Sequence, residues 1–213
     1  MSRTDQIYKS LRGKVIRGQI EAGSRINQVD LATELHVSER TVREALLQLI
    51  SEGLLSREPY TAVRVVGLST DEVEEVLRMR IPLEGWAIEL AAAGISHEEL
   101  DRMRGLFPRM EAEAATASAP TLRSLYREFH QIAFNACRKR YLSETVSRLF
   151  DRMLPYVLSG ISPEDYARQI ETNLCHCRRL LEALELGDGK KAREIRIGYL
   201  NEMIEMLGGT EFT

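Results

Sequence analysis

The stretch from His36 to Leu55, HVSERTVREALLQLISEGLL, constrains this chain more than any other. Val42, Ala45, Leu46, Leu49 and Ile50 recur at helical spacing, so the segment is a helix with one buried face. Ser38 stands where an N-cap belongs, and Gly53 where the left-handed residue past a helix end belongs. The exposed start of the helix carries Glu39, Arg40, Thr41, Arg43 and Glu44. Cations at a helix start suit a major-groove reader, whose N-terminal end meets phosphates and base edges. A solvated surface helix would carry charges there too, so the flanking segments decide.

Upstream, Ile7, Leu11 and Val15 step by four, predicting an amphipathic helix over 5–19. Asn27 caps a short second helix that turns Leu31, Ala32 and Leu35 inward, and His36-Val37 forms the tight turn into the capped helix after it. Helix, short turn and capped helix together are the punctuation of a helix-turn-helix. Downstream, Leu54-Leu55 and Val63, Val65 and Val66 flank Glu58-Pro59-Tyr60-Thr61, predicting a small hairpin, or wing, with Arg57 and Arg64 beside it. Gly67-Leu68 closes a first domain, residues 1–68. Ser69 with Glu72 is a capping box that leads directly into a second domain, residues 69–213.

That second domain reads as all helix. Helices are expected over 70–93 (with Pro82 a kink and Gly94 the stop), 96–115, 121–137, 141–159 (bent at Pro155), 164–186 and 189–207. A small-residue loop is expected over 114–119, and Ser162-Pro163 caps the fifth of these helices. About six helices with short connections form an antiparallel bundle. Several of their apolar stripes carry polar residues: Arg80 and Glu84 on the first, Tyr126 and His130 on the third, Asn173 and Cys177 on the fifth, and Tyr199 beside Ala192, Ile195 and Met203 on the last. Buried Arg and Glu are costly unless paired, and Arg80 and Glu84 are four apart, close enough to pair. A single such residue is more often a satisfied core group, but several on separate helices point to a polar pocket.

The net charge of −3 divides into +2 over residues 1–68 and −5 over the rest, the sign expected of a basic reading head on an acidic body. No apolar run reaches membrane-spanning length, the start MSRTDQ is not a signal peptide, and three cysteines do not make a disulfide scaffold, which together point to the cytoplasm. Adjacent helical residues point about 100° apart, so Cys175-His176-Cys177 cannot converge on one tetrahedral zinc ion.

With these residues in place, the N-terminal segment resembles the winged helix of the GntR family of bacterial transcription regulators. The match runs through Leu31-Ala32, Val37-Ser38, Val42-Arg43-Glu44-Ala45-Leu46, Leu49 and Glu52-Gly53-Leu54. The remainder resembles the FCD ligand-binding domain of the FadR-type branch, in its VanR-like form. The residues carrying this are Arg80 with Glu84, Phe129-His130, and Ala183-Leu184 before Gly187-Asp188 and Ala192. The departures are specific. Glu39 stands where the family usually has Arg, Thr61-Ala62 where the wing usually has Arg-Gly, and His36 at the usual turn Gly. FCD domains commonly hold a divalent ion through one Asp and three His. Those positions here are Tyr126, His130, Cys177 and Tyr199, so the resemblance implies a lost metal site and no cofactor.

The expectation is a mainly α protein, a winged helix-turn-helix followed by a helical bundle, that works as a homodimeric, non-enzymatic transcription repressor on a pseudo-palindromic double-stranded operator. Ser38, Arg40, Thr41, Arg43, Tyr60, Thr61 and Arg64 would face DNA. Arg80, Glu84, Tyr126, His130, Asn173, Cys177 and Tyr199 would hold a small organic effector such as a carboxylate. Two alternatives stand beside it: a metal kept by His130 and neighbours, and a bundle enzyme built on His130 with Cys177.

Overall fold

The computed structural model describes residues 2–57, 63–116, 119–156 and 163–207, and separates into two compact units, Met1–Leu68 and Ser69–Thr213. The first holds α1 (Arg3–Ile16), β1 (Arg25–Ile26), α2 (Gln28–Glu34), α3 (Glu39–Ser51), β2 (Leu55–Arg57) and β3 (Val63–Val65). Helix α1 starts two residues earlier than its apolar period suggests, because Ser2 and Asp5 form a capping box. It stops at Ile16, with Gly18 at φ 67° closing the end. Asn27 and Ser38 cap α2 and α3 through their side-chain oxygens. Between those helices His36 adopts φ 52°, and the Val37 N–H reaches back to the Ala32 carbonyl at 3.0 Å. This left-handed residue turns the chain sharply enough for α3 to follow at once.

Ile7, Leu11 and Val15 pack with Leu31, Ala32, Val42, Ala45, Leu46 and Leu49 in one core, while Ile50 is only half-buried. Strand β3 is the middle of three, paired antiparallel with β2 and with β1. Strand β1 has no period to reveal it, since two residues cannot show one. The tip of the wing, residues 58–62, lies outside the described residues.

The second unit contains α4 (Thr70–Gly94), α5 (His97–Thr116), α6 (Ala119–Ala136), α7 (Arg140–Met153), a 3₁₀ turn (Leu154–Tyr156), α8 (Pro163–Glu185) and α9 (Gly189–Leu207). Helix α4 runs through Pro82 and packs against α9, α7 and α6. Two expectations are corrected. Helix α6 opens at Ala119 and α5 reaches Thr116, so most of the loop expected over 114–119 is helix; residues 117 and 118 lie outside the described residues. Helix α7 ends at Met153 instead of bending at Pro155, because proline lacks the N–H the helix would need and the chain tightens into the 3₁₀ turn. The Ser162 cap also lies outside the described residues. No described helix is long and apolar enough to cross a membrane.

Candidate functional site

In the first unit, the start of α3 is built by Ser38, whose Oγ accepts the Thr41 N–H at 3.2 Å and lies 2.7 Å from the Thr41 hydroxyl. Arg43 is exposed, and Arg40, also exposed, pairs along the helix with Glu44 at 3.1 Å. An exposed i, i+4 pair of this kind is weak and can yield to a phosphate. Arg64 is placed differently from these. It lies on β3 opposite Ser56 and Arg25, half-buried, with its guanidinium donating to the Gly23 carbonyl. Tyr60 and Thr61 lie outside the described residues.

In the second unit, α4, α6, α8 and α9 bring polar side chains to one small cavity of about 30 Å³. Arg80, Tyr126, His130, Asn173, Cys177 and Tyr199 line it. Glu84 lies behind that wall, fully buried, and binds two arginines. Arg80 Nε donates to Glu84 Oε1 at 2.5 Å, and Arg196 Nε to Glu84 Oε2 at 2.6 Å. Arg196 Nη2 is also 2.6 Å from Oε2, an ion pair off the hydrogen-bond axis. The Arg196 Nη1 atom meets two imidazoles, His130 Nε2 at 3.0 Å and His176 Nε2 at 2.9 Å. His130 Nδ1 donates to the Tyr126 carbonyl at 2.9 Å, which leaves Nε2 as the acceptor. The His176 ring stacks on Tyr199 at 4.1 Å, and the Tyr199 hydroxyl donates to Asn173 Oδ1.

Burial, then the Arg196 cation, holds both His130 and His176 well below the ordinary imidazole range, so each is neutral. Burial likewise pushes the Cys177 thiol and the Tyr199 phenol up to about 12. A thiol held protonated is a poor nucleophile, which leaves no dyad with His130.

Metal coordination does not fit these residues. Both imidazole Nε2 atoms face a guanidinium, and among the described residues no group of three His, Cys, Asp or Glu could hold an ion.

Two members of the cluster escaped the sequence reading. His176, considered there only within the Cys175-His176-Cys177 triplet, is buried in the same wall as Cys177. The buried stripe of α8 is Asn173, His176, Cys177 and Leu180, an i, i+3, i+4, i+7 set in which both neighbours face inward. Arg196 follows Ala192 by four and precedes Tyr199 by three, a core position hidden by its charge. It is fully buried.

A helix-turn-helix with a small three-stranded sheet, followed by a helical unit, defines the class of DNA-binding transcription regulators. The comparisons give the family. Residues 3–65 match the gntR family of bacterial regulatory proteins and residues 75–202 match the FCD domain, so the chain belongs to the GntR family with an FCD domain. It is 26% identical to the HTH-type transcriptional regulator YdhC of Bacillus subtilis, over 95% of this chain and 89% of that one. It is also 26% identical to the HTH-type transcriptional regulator McbR of Escherichia coli, over 97% and 93%. The E. coli McbR structure superposes with a TM-score of 0.84, covering 98% of both chains. A putative GntR regulator from Rhodococcus sp. RHA1, at 21% identity, shares the fold with a TM-score of 0.82 over 100% of both chains. The chain is thus a DNA-binding transcription regulator and not an enzyme.

Proposed function

We propose that this regulator is a homodimeric, cytoplasmic repressor that binds a pseudo-palindromic operator and is controlled, without metal, by a small organic effector in the bundle cavity. The observation that carries the reading is the set of buried polar side chains from four helices that meet at one small cavity, with Asn173 Nδ2 among them lacking a partner. Unit 69–213 would hold the effector and the dimer contact, and unit 1–68 the DNA. Ser38, Arg40, Thr41 and Arg43 would enter the major groove, with Tyr60, Thr61 and Arg64 contributing from the wing. Two-fold protein symmetry requires a two-fold site. The effector acts by binding one of two states of the dimer better than the other, which shifts their populations and with them the operator affinity.

The test is selection of duplexes from a randomised pool by the purified chain. The expected product is a two-fold symmetric site, bound roughly 10- to 100-fold more weakly by Arg43→Ala, the loss of one good base contact. Undiminished binding by that variant would remove α3 as the reading helix.

A further inference from the structure

Glu39 opens α3, exposed, one residue past the Ser38 cap. Four residues on, Arg43 is exposed on the same face of the helix. An acid followed by a base at that spacing is the favourable order for an ion pair along a helix. The structure forms no such pair: among the described residues, neither side chain has a hydrogen-bond or ion-pair partner. Their neighbours are committed. Glu44 accepts from Arg40 at 3.1 Å and from the Thr4 hydroxyl at 3.3 Å, and the Thr41 hydroxyl lies 2.7 Å from Ser38 Oγ. The shallow surface that Glu39 borders, with Val29, Thr33 and His36, includes no lysine or arginine.

An uncompensated carboxylate is costly on a surface that binds DNA, where one phosphate charge falls every ~1.7 Å of duplex. Near the backbone it is repelled. Over the base edges it gains only from a donor, because an ionised carboxylate accepts and never donates. The major groove offers two such donors, cytosine N4 and adenine N6. Adenine sets its N7 acceptor beside N6, against a second carboxylate oxygen, whereas cytosine carries no acceptor there. The acid therefore favours cytosine. Arg43 has the opposite chemistry, a fork of donors that fits guanine O6 and N7. Four residues span about 6 Å of helix, close to two base-pair steps of about 3.4 Å.

We infer that Glu39 is a specificity-determining residue of this regulator. Its carboxylate accepts from the N4 amino group of a cytosine in each half-site, while Arg43 donates to a guanine within about two base pairs of it. Glu39 excludes as well as attracts, since guanine O6 and thymine O4 present acceptors to its oxygens. The ordinary role of an acid in a first turn is to offset the helix dipole, which has no stake in base identity. The inference rests on α3 being the reading helix, and it names what that helix reads.

The experiment is selection from a randomised duplex pool by the full chain, by Glu39→Gln and by Arg43→Ala, all at one salt concentration, with the bound duplexes sequenced. The native chain should enrich cytosine at one position of each half-site and guanine within about two pairs of it. Glu39→Gln keeps the length of the side chain and can bind adenine N6 and N7 together, so it should turn that cytosine to adenine and leave the guanine in place. Its preference for cytosine there should fall about tenfold, the discrimination of one good base contact. Arg43→Ala should relax the guanine alone. A guanine lost with Arg43→Ala, beside a cytosine that Glu39→Gln leaves unchanged or that the native chain never enriches, would overturn the inference while keeping α3 as the reading helix. If neither variant altered any position, α3 would leave the groove and the inference would fall with it.

Discussion

Glu84 is a buried acid that holds two buried arginines, Arg80 and Arg196, at 2.5 and 2.6 Å. Removing one partner of such a cluster costs more than the pair is worth intact, because the charges left behind are desolvated and alone. Glu84→Gln should therefore lower the stability of the second unit by about 3–5 kcal/mol. The fluorescence of Trp86, the only tryptophan, reports this in urea. A loss below about 1 kcal/mol would mean that water screens the cluster. This part of the site was half legible in the sequence. The spacing of Arg80 and Glu84 announces a pair, and the period places Tyr126, His130, Asn173, Cys177 and Tyr199 on inward faces. Arg196 was not legible, because an arginine reads as surface until its partners are known, and those partners come from α4, α6 and α8. His176 was missed for a different reason. Two neighbouring helical residues can both face a wall when several helices surround them, a fact of packing that one helix's period does not carry.

At the scale of elements, the bundle is tightened by close approaches of helix ends. A Cβ on Gly94, the last residue of α4, would lie 2.3 Å from the Ala136 carbonyl oxygen at the end of α6. Arg138, in the left-handed region at φ 54°, donates to the Gly94 carbonyl at 2.9 Å and grips Glu99 on α5 at 2.6 Å. Three helices are thus fastened at one corner. Gly94→Ala forces backbone against backbone, and should cost about 1–3 kcal/mol in urea unfolding; a neutral effect would show that the corner can open. The sequence marks Gly94 as a helix stop, and the structure agrees, but the reason it must be glycine lies in α6, beyond the reach of local pattern. The helices themselves were legible because caps and apolar periods agree at most of their ends. The misplaced ends fall at 114–119 and at Pro155, where a run of helix-favouring alanines and a proline gave contrary signals.

For the whole molecule, the two neutral imidazoles link stability to pH. The folded chain holds His130 and His176 below the ordinary value of 6.5, so under that pH the unfolded chain takes up protons that the folded one does not. Their contribution is present in full above about pH 6.5 and falls as the medium is acidified, by about 1.4 kcal/mol per pH unit for each. The urea midpoint followed through Trp86 should drop between about pH 7 and about pH 5.5, and a flat profile would mean that the rings gain protons without unfolding. The proposed dimer makes a separate prediction. Met79 and Trp86 are seven residues apart on α4 and 47% and 51% exposed, a half-open apolar stripe that suits a second copy. Trp86→Glu should shift the chain from dimer to monomer in sedimentation, and an unchanged mass would place the contact elsewhere. Arg196 has a consequence for what such a regulator measures. A sensor that binds its signal through a dissociable ion answers to two concentrations, and starvation for the ion silences it. With the positive charge tethered to α9 and no ion in the proposed effector site, occupancy would follow the abundance of one compound alone, and a chelating environment would leave the readout unchanged.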